Sequence, residues 1–114
     1  MPFFLHQVSY APEALSRLIS SPQDRFEAVR APIEKLGGKI KDSYFAFGPY
    51  DAILITEMPD SVSAAAIALA FAAGGSVRNA QTTPLLTANE AVEAMRKAGT
   101  CGYKPVTTGA AAGR

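Results

Sequence analysis

The chain has 114 residues, with 11 Lys and Arg against 10 Asp and Glu and a net charge of +1. That length makes one domain with one hydrophobic core, and the even balance leaves no basic surplus for binding nucleic acid through counterion release. A single cysteine, Cys101, excludes an intrachain disulfide, and a single histidine, His6, is too little for a zinc site.

The charged fraction is 18%, below the roughly 25% of an average soluble domain. Much of the apolar content is Ala, so part of the surface is expected to be covered by another subunit. Met1–His6 shows no basic segment ahead of a long apolar run, so no signal peptide is expected. The longest apolar run, Val62–Ala73, is far short of the ~20 residues of a membrane span. A cytoplasmic protein with no membrane or nucleic-acid partner is the expectation.

Phe3–Tyr10 is aromatic and branched and stops at Ala11-Pro12, which predicts a first strand. Phe4, His6, Val8 and Tyr10 alternate onto one face. Pro12–Ile19 predicts a short helix. Ser21 as N-cap with Pro22 behind it predicts the start of the next, which runs to about Leu36 with Phe26, Val29, Ile33 and Leu36 as its apolar stripe. Gly37-Gly38 stops it, and Pro32 should kink it, since an interior proline costs about 3 kcal/mol.

Lys39–Phe47 predicts a second strand, Gly48–Asp51 a turn, and Ala52–Glu57 a third strand. Ile53-Leu54-Ile55 suggests a central strand buried on both faces, and the short link makes an antiparallel hairpin. Asp60 or Ser61 caps a helix that is apolar nearly all round, which implies burial on more than one side. Val77–Leu85 is a polar fourth strand whose Pro84 fits only an edge or an end. Thr87 and Glu90 form a capping box for a last helix reaching about Ala98, with Val92, Met95 and Ala98 inward. Residues 1–99 form the domain, and residues 100–114, rich in Gly, Thr and Ala, read as a flexible tail. The order β-α-β-β-α-β plus a C-terminal helix is an α+β, ferredoxin-like arrangement with a four-stranded antiparallel sheet.

Several pieces in a fixed order carry a family resemblance: Leu36-Gly37-Gly38-Lys39-Ile40-Lys41, then Gly48-Pro49-Tyr50-Asp51-Ala52-Ile53-Leu54-Ile55, then Glu57-Met58-Pro59-Asp60, then Gly75-Ser76-Val77-Arg78. Together, over roughly Phe4–Met95, they resemble the GYD family of small bacterial proteins. The resemblance implies a dimeric α+β barrel, in which two ferredoxin-like sheets face each other. It implies no agreed activity and no catalytic residues.

The candidate site residues are few. His6 alone titrates near neutrality unaided, so it is the candidate acid or base, against a bland reading as a hydrogen-bonded core imidazole. Tyr10, Tyr44 and Phe47 are aromatic candidates for a pocket, which requires Tyr44 to share the face of His6 and Tyr10, a register the sequence leaves open. Tyr50 and Asp51 stand at the turn, where glycine permits positive φ, proline fixes φ and aspartate accepts backbone hydrogen bonds. Arg78 is a candidate on the polar fourth strand. An aromatic-lined pocket with few polar groups suits a small molecule, while the same polar strands suit a wet dimer interface. No phosphate loop, nucleophile elbow or dinucleotide fingerprint is present, and no cofactor or metal is expected. The expected function is small-molecule binding by a homo-oligomer. The alternatives are a cofactor-independent enzyme (a monooxygenase, isomerase or dehydratase by analogy of fold) using His6, and an assembly or regulatory module.

Overall fold

The chain alternates between strands that need a helical cover and helices that supply one. The computed structural model describes residues 1–107. Its elements in order are β1 (Phe3–Tyr10), α1 (Pro12–Ser20), α2 (Arg25–Lys35), β2 (Lys39–Phe45), β3 (Ala52–Glu57), α3 (Ser61–Ala73), β4 (Val77–Leu85) and α4 (Ala88–Ala98). The four strands form one antiparallel sheet in the order β2-β3-β1-β4, the ferredoxin-like α+β arrangement. None of the described helices is long and apolar enough to cross a membrane.

Register decides which side chains meet. His6 pairs with Leu54 on β3 and with Thr82 on β4, and Val8 pairs with Ala52 and Ala80. These residues share one face, and α2 and α3 lie over it. The core is built there from Phe4, Leu54 and Ala52 of the sheet, Phe26 and Ile33 of α2, Ala64 and Ile67 of α3, and Met58. Each strand alternates, so Phe3, Leu5, Gln7, Ile53, Ile55, Gln81 and Leu85 point the other way. That second face is only half-buried at Leu5, Ile53 and Ile55, so β3 is buried on one face and not on both as expected.

A bulge in β2 decides the face on which Tyr44 lies. Ile40 pairs with Thr56, but Asp42 pairs with Ile55, so Lys41 is an extra residue that flips the alternation. Tyr44 pairs with Ile53 and therefore sits on the open face, opposite His6 and Tyr10. The bulge brings Lys39 and Lys41 each within 3.7 Å of Glu57. β2 also ends at Phe45, two residues earlier than expected, and Phe47 is fully exposed.

Helix α2 starts later than Ser21-Pro22 suggests. Asp24 is its cap, accepting from the Phe26 N–H at 2.9 Å, an arrangement as favourable as a serine cap. The helix runs through Pro32 as one span to Lys35, with Leu36 as its C-cap, and is followed by Gly37, whose φ of +87° favours glycine. Gly38 is needed for a different reason: a Cβ there would lie 2.6 Å from the Glu57 carbonyl oxygen and overlap the buried Met58 sulfur.

Two helices carry apolar stripes that the other described residues leave exposed. Asp60 caps α3 through the Ser63 N–H at 2.8 Å, and Ala64 and Ile67 are buried. Val62 and Leu69 on the other side are 79% and 69% exposed. The capping box of α4 forms as expected, but Val92 and Met95 do not turn inward. β4 leaves the sheet at its edge, and from Leu86 to Thr107 only Ala91 is even half-buried. Residues 100–107 contain no helix or strand, and the rest of the expected tail lies outside the described residues.

Gly38→Ala should lower unfolding free energy by about 1–3 kcal/mol, the usual cost of overpacking, while Gly48→Ala, whose Cβ would meet nothing within 4 Å, should stay within about 0.5 kcal/mol of the parent. Urea denaturation of both variants measures the contrast.

Candidate functional site

The centre of β1 places an imidazole where a β-sheet normally carries an aliphatic side chain. His6 is 1% exposed. A buried polar ring must be hydrogen-bonded to be tolerated, and both ring nitrogens are: Nδ1 lies 3.0 Å from Thr82 Oγ1 on β4, and Nε2 lies 2.9 Å from Thr56 Oγ1 on β3. One nitrogen donates and the other accepts, each threonine hydroxyl complying. The ring thus ties three strands together. It also meets the Phe71 ring edge-on, at 6.1 Å between centroids and 88° between planes. Burial holds its pKa at about 4, below the ordinary 6.5, so the imidazole is neutral at physiological pH.

Above this ring, between the sheet and the two helices, lies a cavity of about 180 Å³. Val8, Ala52 and Leu54 form its floor with His6, Phe26 and Val29 of α2 one wall, and Phe71 of α3 the other. Tyr10, Arg25 and Ser76 complete the lining at one end. The same three residues line an adjoining cleft of about 130 Å³ that continues past Arg17, Gln23 and Leu18. Burial raises the pKa of the Tyr10 hydroxyl, with the Arg25 guanidinium opposing and the Asp51 carboxylate adding to the rise.

The turn after β2 is fastened to β1. The Asp51 N–H donates to the Val8 carbonyl at 2.8 Å, and Asp51 Oδ2 accepts from the Tyr10 N–H at 2.9 Å. The Ser9 hydroxyl donates to the Pro49 carbonyl. The Tyr50 hydroxyl reaches Gln81 Oε1 on β4 at 2.8 Å. Asp51 acts as expected, as an acceptor for backbone. Gly48 does not, because its backbone is not in the positive-φ region.

The structure therefore brings two of the sequence candidates, His6 and Tyr10, into one chamber. Asp51 and Tyr50 stand beside it as parts of the turn. Tyr44 is on the opposite face, Phe47 is in solvent, and Arg78 borders a separate shallow groove with Ala68, Leu69 and Ala72. Arg25, Phe26, Val29 and Phe71 line the chamber without having been singled out as ligand contacts. Cys101 is exposed, and its thiol donates to the Ala98 carbonyl. No group of three or more potential metal ligands occurs among the described residues.

A family model described as the GYD domain matches residues 4–95, a span that begins at β1 and ends within α4. No curated protein matches the chain.

The sole histidine makes the electrostatics directly testable. Its folded pKa is depressed, so the unfolded chain takes up the proton first. Stability from this group is complete above pH 6.5 and is lost as pH falls towards 4, by about 3 kcal/mol in all. Imidazole ¹⁵N shifts followed by NMR should stay those of a neutral ring from pH 8 to 5. A midpoint near 6.5 would mean that the ring is solvated.

Proposed function

We propose that this protein, which belongs to the GYD domain family, is a small-molecule-binding domain whose ligand occupies the chamber between the sheet and helices α2 and α3. The observation that carries this reading is the chamber itself. Protein interiors are ordinarily filled to crystal-like density, yet a part-open pocket of about 180 Å³ beneath the two helices is filled by no side chain among the described residues. Its lining is mostly apolar and aromatic, with a few polar groups converging at one end, which is the usual make-up of a small-molecule site.

His6 supports binding more than proton transfer. Both of its nitrogens are engaged by threonine hydroxyls, and its low pKa keeps it uncharged. To act as an acid or base it would have to release one of those bonds. In this reading it is a rigid, neutral floor that holds the sheet in register under the ligand. An enzymatic role for His6 is the lesser reading.

The functional unit in this proposal is a homodimer formed through the open face of the sheet. Phe3, Leu5, Ile53, Ile55 and Leu85 lie together on that face, and the helices of the described residues that pack on the sheet, α2 and α3, lie on the other. Covering it would remove a contiguous apolar surface of the kind that soluble monomers rarely leave exposed. The sheets of two copies would face each other, and each chamber would remain on its own outer, helical side. The exposed stripes of α3 and α4 favour a further role in assembly.

Two measurements test these statements. Native mass spectrometry of the purified protein should show an even-numbered oligomer, and Ile53→Glu should convert it to a folded monomer; a monomeric parent protein would overturn the dimer. Val29→Trp, which places an indole in the chamber, should abolish the thermal stabilisation produced by small aromatic compounds. Equal stabilisation of parent and variant would place binding elsewhere.

A further inference from the structure

The chamber and the cleft beside it differ in character, and their junction specifies a ligand. The chamber is walled by Val8, Val29, Leu54, Phe26 and Phe71. Its volume of about 180 Å³ compares with the roughly 150 Å³ engineered cavity that accepts benzene, so it suits one aromatic ring or a short branched chain. The adjoining cleft carries Arg17 and Arg25. Neither guanidinium has a carboxylate within 4.0 Å among the described residues.

Three of the acidic groups nearby are already engaged. Asp24 caps α2, Asp51 holds the Tyr10 N–H, and Glu27 pairs with Arg30 at 3.0 Å. Arg25 has a long contact with Gln23, at 3.5 Å, and its guanidinium also reaches the Tyr10 hydroxyl. It is half-buried, and a half-buried guanidinium with no anionic partner is an unfilled position for one. Tyr10 and Ser76 stand at the same junction with hydroxyl donors. The raised pKa of Tyr10 keeps its hydroxyl protonated, hence able to donate.

We infer that the ligand is an amphipathic carboxylic acid, its apolar body in the chamber over His6 and its carboxylate at the junction, bound by Arg25 with Arg17 behind it. This inference rests on the small-molecule reading of the same chamber and adds the charge and shape of what enters. An apolar ring in the chamber leaves its substituent at the end where the donors converge. A neutral analogue would fill the chamber equally well and leave the guanidinium unanswered. A charged hydrogen bond of this type is worth about tenfold or more in affinity.

The test uses a matched pair, 3-phenylpropionate and 3-phenylpropan-1-ol, titrated by calorimetry at pH 7.5 into the full-length protein. The parent should bind the acid at least tenfold tighter than the alcohol. Arg25→Gln should remove that preference and leave alcohol binding unchanged, Arg25→Lys should retain part of it, and Arg17→Gln should weaken acid binding less than Arg25→Gln does. Circular dichroism melts confirm that each variant is folded. Equal affinity for acid and alcohol in the parent would overturn the inference and leave the binding chamber standing. An acid preference that survives Arg25→Gln would overturn it as well, by placing the carboxylate elsewhere. Binding of neither compound would overturn both the inference and the small-molecule reading.

Discussion

The imidazole of His6, buried in the middle strand and bonded on both sides to threonine hydroxyls, is the constraint on which the rest of the structure turns. A polar ring can sit at the centre of a sheet only if both nitrogens are satisfied. That requirement fixes where Thr56 on β3 and Thr82 on β4 must stand, and with them the register of three strands. It also requires the ring to be neutral, because a charged imidazole in that position would lose its hydration with no counter-charge in return. The helical layer then closes over the ring incompletely: Phe71 meets it edge-on, and a chamber remains between the helices and the strands.

The Gly48–Asp51 turn serves this arrangement from outside. Asp51 bonds to the backbone of β1 on both sides of Ser9, accepting from Tyr10 and donating to Val8. Tyr50 spans to Gln81 on β4. The hairpin is thereby fixed to the end of the strand that carries His6 and Tyr10, which sets the position of one end of the chamber. The architectural reading of Gly48–Asp51 is sustained by its aspartate and tyrosine. The glycine of this turn is held neither by close approach nor by backbone conformation, whereas Gly37 and Gly38 are required by both kinds of constraint in turn.

Much of this fold is legible in the sequence because its local signals agree. Thr87 with Glu90, Asp60 before the Ala-rich helix, and Gly37-Gly38 after α2 each act where their chemistry says they should. Less is legible where one residue changes a period. The bulge at Lys41 inverts the alternation of β2, so period two alone does not say which face Tyr44 takes. The inward orientation expected for Val92 and Met95 fails for a different reason: amphipathic spacing says that a helix has an apolar side but not which chain will cover it. The site is the least legible part. His6 and Tyr10 stand out as polar groups in a strand, while Phe26 and Val29 look like an ordinary core stripe, and Arg25 looks like any charge at a helix start. Their convergence is a product of tertiary packing, which no spacing rule contains.

The central claim is that a ligand lies over His6, between the sheet and the helices. The most direct test is an isotope-filtered NOE experiment on the ¹³C-labelled protein with unlabelled 3-phenylpropionate. The account predicts cross-peaks from the phenyl protons to the methyl groups of Val8, Val29 and Leu54. Cross-peaks confined to Leu5, Ile53 and Ile55 on the open face would contradict it, as would none at saturating ligand.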